Sequence, residues 1–104
     1  MLRISVDDTP DLLTIKLEGK VRGPWGRELE KVWYSVSGVA EHKRVRIDLC
    51  HVSSIDDCGK GVLVMMCQKG VEFEAIGPMM TAMVEEVRHL AGKERQRFRV
   101  AQSR

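Results

Sequence analysis

Residues 44–70 read RVRIDLCHVSSIDDCGKGVLVMMCQKG. Val45, Ile47 and Leu49 alternate with Arg46 and Asp48, the period of a half-buried β-strand. After a short polar turn the period changes. Val62, Leu63, Met65 and Met66 fit one side of a short helix, and Gly70 stands where a helix commonly ends. Asp57 is the expected N-cap, because its carboxylate can accept from orphan backbone N–H groups and faces the positive end of the helix dipole. Gly59 and Gly61 each cost roughly 0.5–1 kcal/mol against Ala inside a helix. Their presence implies that something approaches that first turn closely.

The flanking elements follow the same logic. Leu2, Ile4 and Val6 alternate with polar residues, as do Leu13, Ile15 and Leu17. With the Asp8-Thr9-Pro10-Asp11 turn between them, these runs form an antiparallel hairpin. Pro24 suits the first position of a helix. Trp25, Leu29, Val32, Trp33 and Val36 then recur at helical spacing over about 12 residues, a pattern that reads as core in preference to a binding platform. Val71, Phe73 and Ala75 alternate with Glu72 and Glu74 as a further strand. Met79, Met80, Met83, Val84, Val87 and Leu90 form the stripe of a last helix, closed by Gly92. The six Met residues fill an irregular core or form an adaptable interface, with the core favoured. Residues 95–100 fit an edge strand or a continuing helix.

The order is β-β-α-β-α-β-α. Every strand alternates, so one sheet face is buried and the other is polar; strands covered on both faces would be continuously apolar. The expected architecture is α/β: a two-layer sandwich with a small mixed sheet and all helices on one face, the unit over 44–76 being a right-handed crossover.

A chain of 104 residues with 43% hydrophobic and 31% charged residues suits one globular domain, expected over 1–92. Residues 93–104 form a basic tail of net charge +4, which leaves −2 for the rest of a +2 chain. That near-neutral body argues against a dedicated nucleic-acid binder. No apolar run approaches the roughly 20 residues of a membrane span, and the first residues do not read as a signal peptide. Direct membrane insertion is not expected, and the cytoplasm is the expected compartment. Three cysteines, Cys50, Cys58 and Cys67, are read as reduced thiols.

The residues Ile47-Asp48-Leu49, Val52 and Ile55-Asp56-Asp57-Cys58-Gly59-Lys60-Gly61-Val62-Leu63 resemble the signature of the STAS domain, the fold of bacterial anti-anti-sigma factors. Asp56, Gly59, Gly61, Val62 and Leu63 match it, and element order extends the likeness over about residues 1–92. Cys58 occupies the place of the phospho-acceptor Ser, Asp57 replaces the Ser before it, and Lys60 replaces a Leu. The resemblance implies a small mixed sheet with helices packed on it. It also implies docking on an anti-sigma factor or kinase-like ATPase through Ser53, Ser54, Asp56, Asp57, Cys58, Gly59 and Lys60. With Cys58 in the acceptor's place, phosphorylation there in the usual way is not expected. STAS domains also serve as subunits of ABC-type membrane transport complexes, which is the alternative reading. A homodimer is compatible with the sequence.

Other chemistry finds little support. Cys58, a thiol in a first helical turn near Lys60, invites a third reading as a thiol sensor; the simpler reading is a small residue that fits. Cys50, His51 and Cys58 lack a fourth ligand and any Cys-x-x-Cys pair, so no metal is expected. Gly59-Lys60-Gly61 lacks the Ser or Thr and the upstream Gly of a phosphate loop. No nucleophile–base or paired-carboxylate arrangement stands out. Neither an enzyme nor a cofactor is expected.

Overall fold

The computed structural model describes residues 2–92 and 98–100; for Ala40 and 98–100 it describes the backbone alone. The elements in chain order are β1 (Leu2–Asp8), β2 (Leu12–Val21), α1 (Trp25–Val36), β3 (Arg44–Ile55), α2 (Asp57–Gln68), β4 (Glu72–Ala75), α3 (Pro78–Leu90) and β5 (Phe98–Val100), with a 3₁₀ turn at Val39–Glu41 before β3. The five strands lie in the order β1-β2-β3-β4-β5. β1 runs antiparallel to β2, with Leu2 opposite Gly19 and Asp8 opposite Leu13. All later pairs are parallel. Each parallel crossover steps one strand in the same direction, so right-handed connections place α1, α2 and α3 side by side on one face.

Alternation decides which face that is. Leu13, Ile15, Leu17, Val45, Ile47, Leu49, Phe73 and Ala75 are buried under the helices. Lys16, Arg46, Asp48, Glu72 and Glu74, between them in sequence, are half-buried on the open face. The two-layer mixed sandwich is therefore the observed fold. Leu29 and Trp33 of α1, Val62, Leu63, Met66 and Cys67 of α2, and Met80, Val84 and Val87 of α3 complete the core, each large side chain adding about 1.5–3 kcal/mol by leaving water. No polar or charged side chain among the described residues is buried there.

The open face carries paired charges instead. Glu72 accepts two hydrogen bonds from the Arg44 guanidinium, both at 2.8 Å. Arg46 lies 3.7 Å from the same carboxylate. At the hairpin, the Thr9 hydroxyl donates to Leu12 O at 2.8 Å and accepts from Leu12 N at 3.2 Å, closing the turn. The Lys43 ammonium ties that hairpin to the start of β3 through the Asp8 carboxylate and Thr9 O.

Three expectations are corrected. β3 does not stop near Cys50. It continues to Ile55, and two irregularities in its pairing with β2 absorb the extra residues. Val6, Met79 and Leu90 were placed on apolar stripes but are exposed, because those positions lie where the facing layer ends: at the outer edge strand and at the two ends of α3. Pro24 is the N-cap of α1 and not its first helical residue. At 95–100, Phe98–Val100 pairs with β4 as the strand β5; residues 93–97 and 101–104 lie outside the described residues. Met66 and Met80 are buried, Met65 and Met83 are partly buried, and Met79 is exposed, so the five described Met residues serve mainly as core filling.

Candidate functional site

A single residue, Asp56, separates the end of β3 from the start of α2. Its backbone is extended (φ −89°, ψ −179°), which aims the side chain back over the helix that follows. Asp56 Oδ1 accepts from Gly59 N at 2.9 Å, and Oδ2 accepts from Gly23 N at 2.8 Å. One carboxylate thus caps α2 and fastens the loop that leads into α1. Asp56 N also donates to Val21 O at 3.1 Å, and Lys60 N donates to Asp56 O at 2.9 Å. Asp57, the expected cap, is instead the first helical residue. The reason is local: the strand runs one residue short of the helix, so the extended residue is Asp56. The bonds from Gly59 and then Gly23 hold the Asp56 carboxyl below the ordinary carboxylate range; partial desolvation opposes them and Arg22 adds to them.

The close approach inferred from Gly59 is present. A Cβ there would stand 2.8 Å from Val21 Cγ1, 2.9 Å from Val21 O and 3.1 Å from Ile55 Cγ2. Gly61 has no such role: it is exposed, and a Cβ there meets nothing within 4 Å. A second contact joins the helices directly. A Cβ on Gly26, buried in the first turn of α1, would lie 3.2 Å from Cys58 Sγ and 3.4 Å from Gly59 N.

The remaining site residues divide by exposure. Asp57 and Cys58 are exposed, side by side on the opening turn of α2. The Lys60 ammonium turns away to α3 and donates to Glu86 Oε1 at 2.9 Å. That bond raises the Lys60 pKa against a smaller effect of burial. Ser53 and Ser54 do not form a turn but end β3. The Ser53 hydroxyl is exposed and donates to Gly19 O at 3.3 Å. Ser54, paired with Lys20 across the strands, is half-buried. Cys50 is half-buried, His51 is exposed and Cys67 is buried. Among the described residues no group of three His, Cys, Asp or Glu side chains is placed to hold a metal ion, and no helix is long and apolar enough to cross a membrane.

Val21, Gly23 and Gly26 were missed as parts of this site. Gly26 was legible, since a glycine on the buried stripe of an amphipathic helix implies a close neighbour. The Gly23 bond had no signal, because its partner lies 33 residues away.

No protein-family model matches this sequence, and no curated protein matches it. Solved structures do match. The anti-sigma factor antagonist SpoIIAA in its unphosphorylated form superposes with a TM-score of 0.67 at 9% identity, over 98% of this chain and 90% of that one. The fold is SpoIIAA-like. An uncharacterized protein of the DUF3478 family from Shewanella loihica PV-4, itself described as having a SpoIIAA-like fold, superposes with a TM-score of 0.62 at 14% identity, covering 98% and 86%. The STAS-like domain named from the residues around Asp56 is therefore the architecture observed.

Two outcomes test this geometry. Gly59→Ala, overpacked against Val21, should lose about 1–3 kcal/mol, whereas Gly61→Ala should gain about 0.5–1 kcal/mol; urea unfolding of both variants measures the opposite signs. Asp56→Asn keeps an acceptor for Gly59 N but sets its amide donor against Gly23 N–H. It should melt roughly 4–8 °C below the parent at pH 7. A carboxyl with a depressed folded pKa gives its full contribution above the unfolded value near 4 and loses it as pH falls through the folded value. The melting gap should therefore shrink below about pH 4 in a calorimetric pH series.

Proposed function

We propose that this chain is a non-catalytic regulatory module that docks on a partner protein through the exposed opening of α2, as an anti-sigma factor antagonist would on an anti-sigma factor or kinase-like ATPase. The observation that carries the reading is the SpoIIAA-like fold combined with a rigid, solvent-facing turn at the signature residues. Asp57 and Cys58 face solvent, while Asp56, Gly59 and Lys60 are committed to intramolecular contacts. Asp56, Gly59 and Lys60 thus shape the surface, and Asp57 and Cys58 present it.

The strand order supports binding by shape over ligand chemistry at this end. It never reverses along the sheet, so the crevice that forms at a reversal, where open α/β sheets take small ligands, does not arise. Cys58 lacks the hydroxyl of an acceptor Ser, so docking is set by the amount of partner and not by a phosphate at that residue. Asp57 supplies a fixed negative charge beside it.

Affinity capture from the native host tests this. The parent chain should retain an anti-sigma or kinase-like protein. Asp57→Lys should lower retention at least about tenfold, a loss of roughly 1.4 kcal/mol of binding, while the chain stays folded, with a melting temperature lowered by no more than roughly 8 °C for the lost first-turn acid. Incubation of the captured pair with ATP should leave the mass of this chain unchanged. Full retention by Asp57→Lys would remove the surface from the proposal, and capture of an ABC-type ATPase subunit would favour the transport reading.

A further inference from the structure

At the pole opposite Asp56, the last turn of α1, the 3₁₀ turn and the end of α2 enclose an open depression of about 390 Å³. Trp33, Tyr34, Ser37, Gly38, Glu41 and Lys69 line it. A second depression of about 370 Å³ adjoins it, sharing Glu41 and Lys69. The first falls within the size range of small-molecule sites. None of its residues takes part in the proposed docking surface.

We propose that this depression binds a small zwitterion carrying an aromatic or apolar group, of the class of an aromatic α-amino acid. Three observations specify that chemistry. Trp33, which lines the depression, is almost fully buried, whereas Tyr34 is 61% exposed. The Tyr34 hydroxyl meets Met65 Sδ at 3.8 Å, which stands the ring as a wall beside the opening and leaves it unspent in the core. Next, the glycine between wall and rim is open space: a Cβ on Gly38 meets nothing within 4 Å.

The decisive feature is charge. Glu41 and Lys69 line the same depression, yet among the described residues neither enters an ion pair within 4 Å, with each other or with any other group. The other two cations around the trough are committed, Lys43 to Asp8 and Arg44 to Glu72. An unpaired carboxylate and an unpaired ammonium on one concave surface match a ligand carrying both opposite charges. The C-terminal ends of α1 and α2 also converge here, and their partial negative charge favours the ligand's ammonium over a second anion. Lys69 takes the ligand carboxylate, Glu41 takes its ammonium, and Tyr34 packs on its ring.

The test uses the full chain, ¹⁵N-labelled, titrated with L-phenylalanine, phenylacetate and phenethylamine. L-Phenylalanine should give saturable shifts at the amides of Tyr34, Ser37, Gly38 and Lys69, with each partial analogue roughly tenfold weaker. Lys69→Gln should weaken L-phenylalanine and phenylacetate but leave phenethylamine unchanged; Glu41→Gln should weaken L-phenylalanine and phenethylamine but leave phenylacetate unchanged. Both substitutions are at exposed positions, so the fold is retained in each. Equal binding of all three probes, saturable shifts only elsewhere, or no saturable shift would each overturn the proposal. None of these outcomes bears on docking at α2.

Discussion

One carboxylate holds together the end of this domain where α1 and α2 begin. Asp56 accepts from Gly59 N and Gly23 N at 2.9 and 2.8 Å, so the opening of α2 and the approach to α1 share a single anchor. A charged acceptor with two backbone donors is stronger and better aimed than a neutral cap. The absence of side chains at Gly26 and Gly59 lets the two helix starts and Val21 close on each other. The anchor fixes direction and the glycines fix distance. Together they present Asp57 and Cys58 on a surface that has little freedom to rearrange.

Much of this was legible from residue order. Alternation in β1 to β4 revealed a one-sided sheet, and the helical stripe from Trp25 to Val36 gave α1 its length. What failed was the joint between β3 and α2. Two serines, two aspartates and a break in alternation at Cys50-His51 read as a turn. In the structure the pairing irregularities between β2 and β3 let the strand slip past that break and resume with Val52 inward. Periodicity has no means of recognising such a slip, and shortening the strand in the reading moved the cap from Asp56 to Asp57. The link to Gly23 was out of reach for another reason: local pattern carries no information about which donor a carboxylate meets across the fold.

The same alternation shapes the open side of the sheet. Its centre is occupied by Arg46 and Glu72, with Arg44 completing the pairings at one end. The pairing through Arg44, the most exposed of the three, adds little stability. The three side chains do keep the face polar, so the helix side remains the only apolar layer among the described residues. Both surfaces proposed for binding accordingly lie at the ends of the helices and not on the sheet.

The brevity of the β3–α2 joint has an engineering consequence. With one residue spanning it, an inserted amino acid would rotate the helix about its axis and pull the anchoring carboxylate out of reach of both donors. The hairpin at Thr9–Asp11 has the opposite character, being exposed and closed by local bonds between Thr9 and Leu12, with Lys43 bracing its side. Peptide tags and fusions belong at that hairpin, and length variation between related chains should collect there while the joint keeps its one residue.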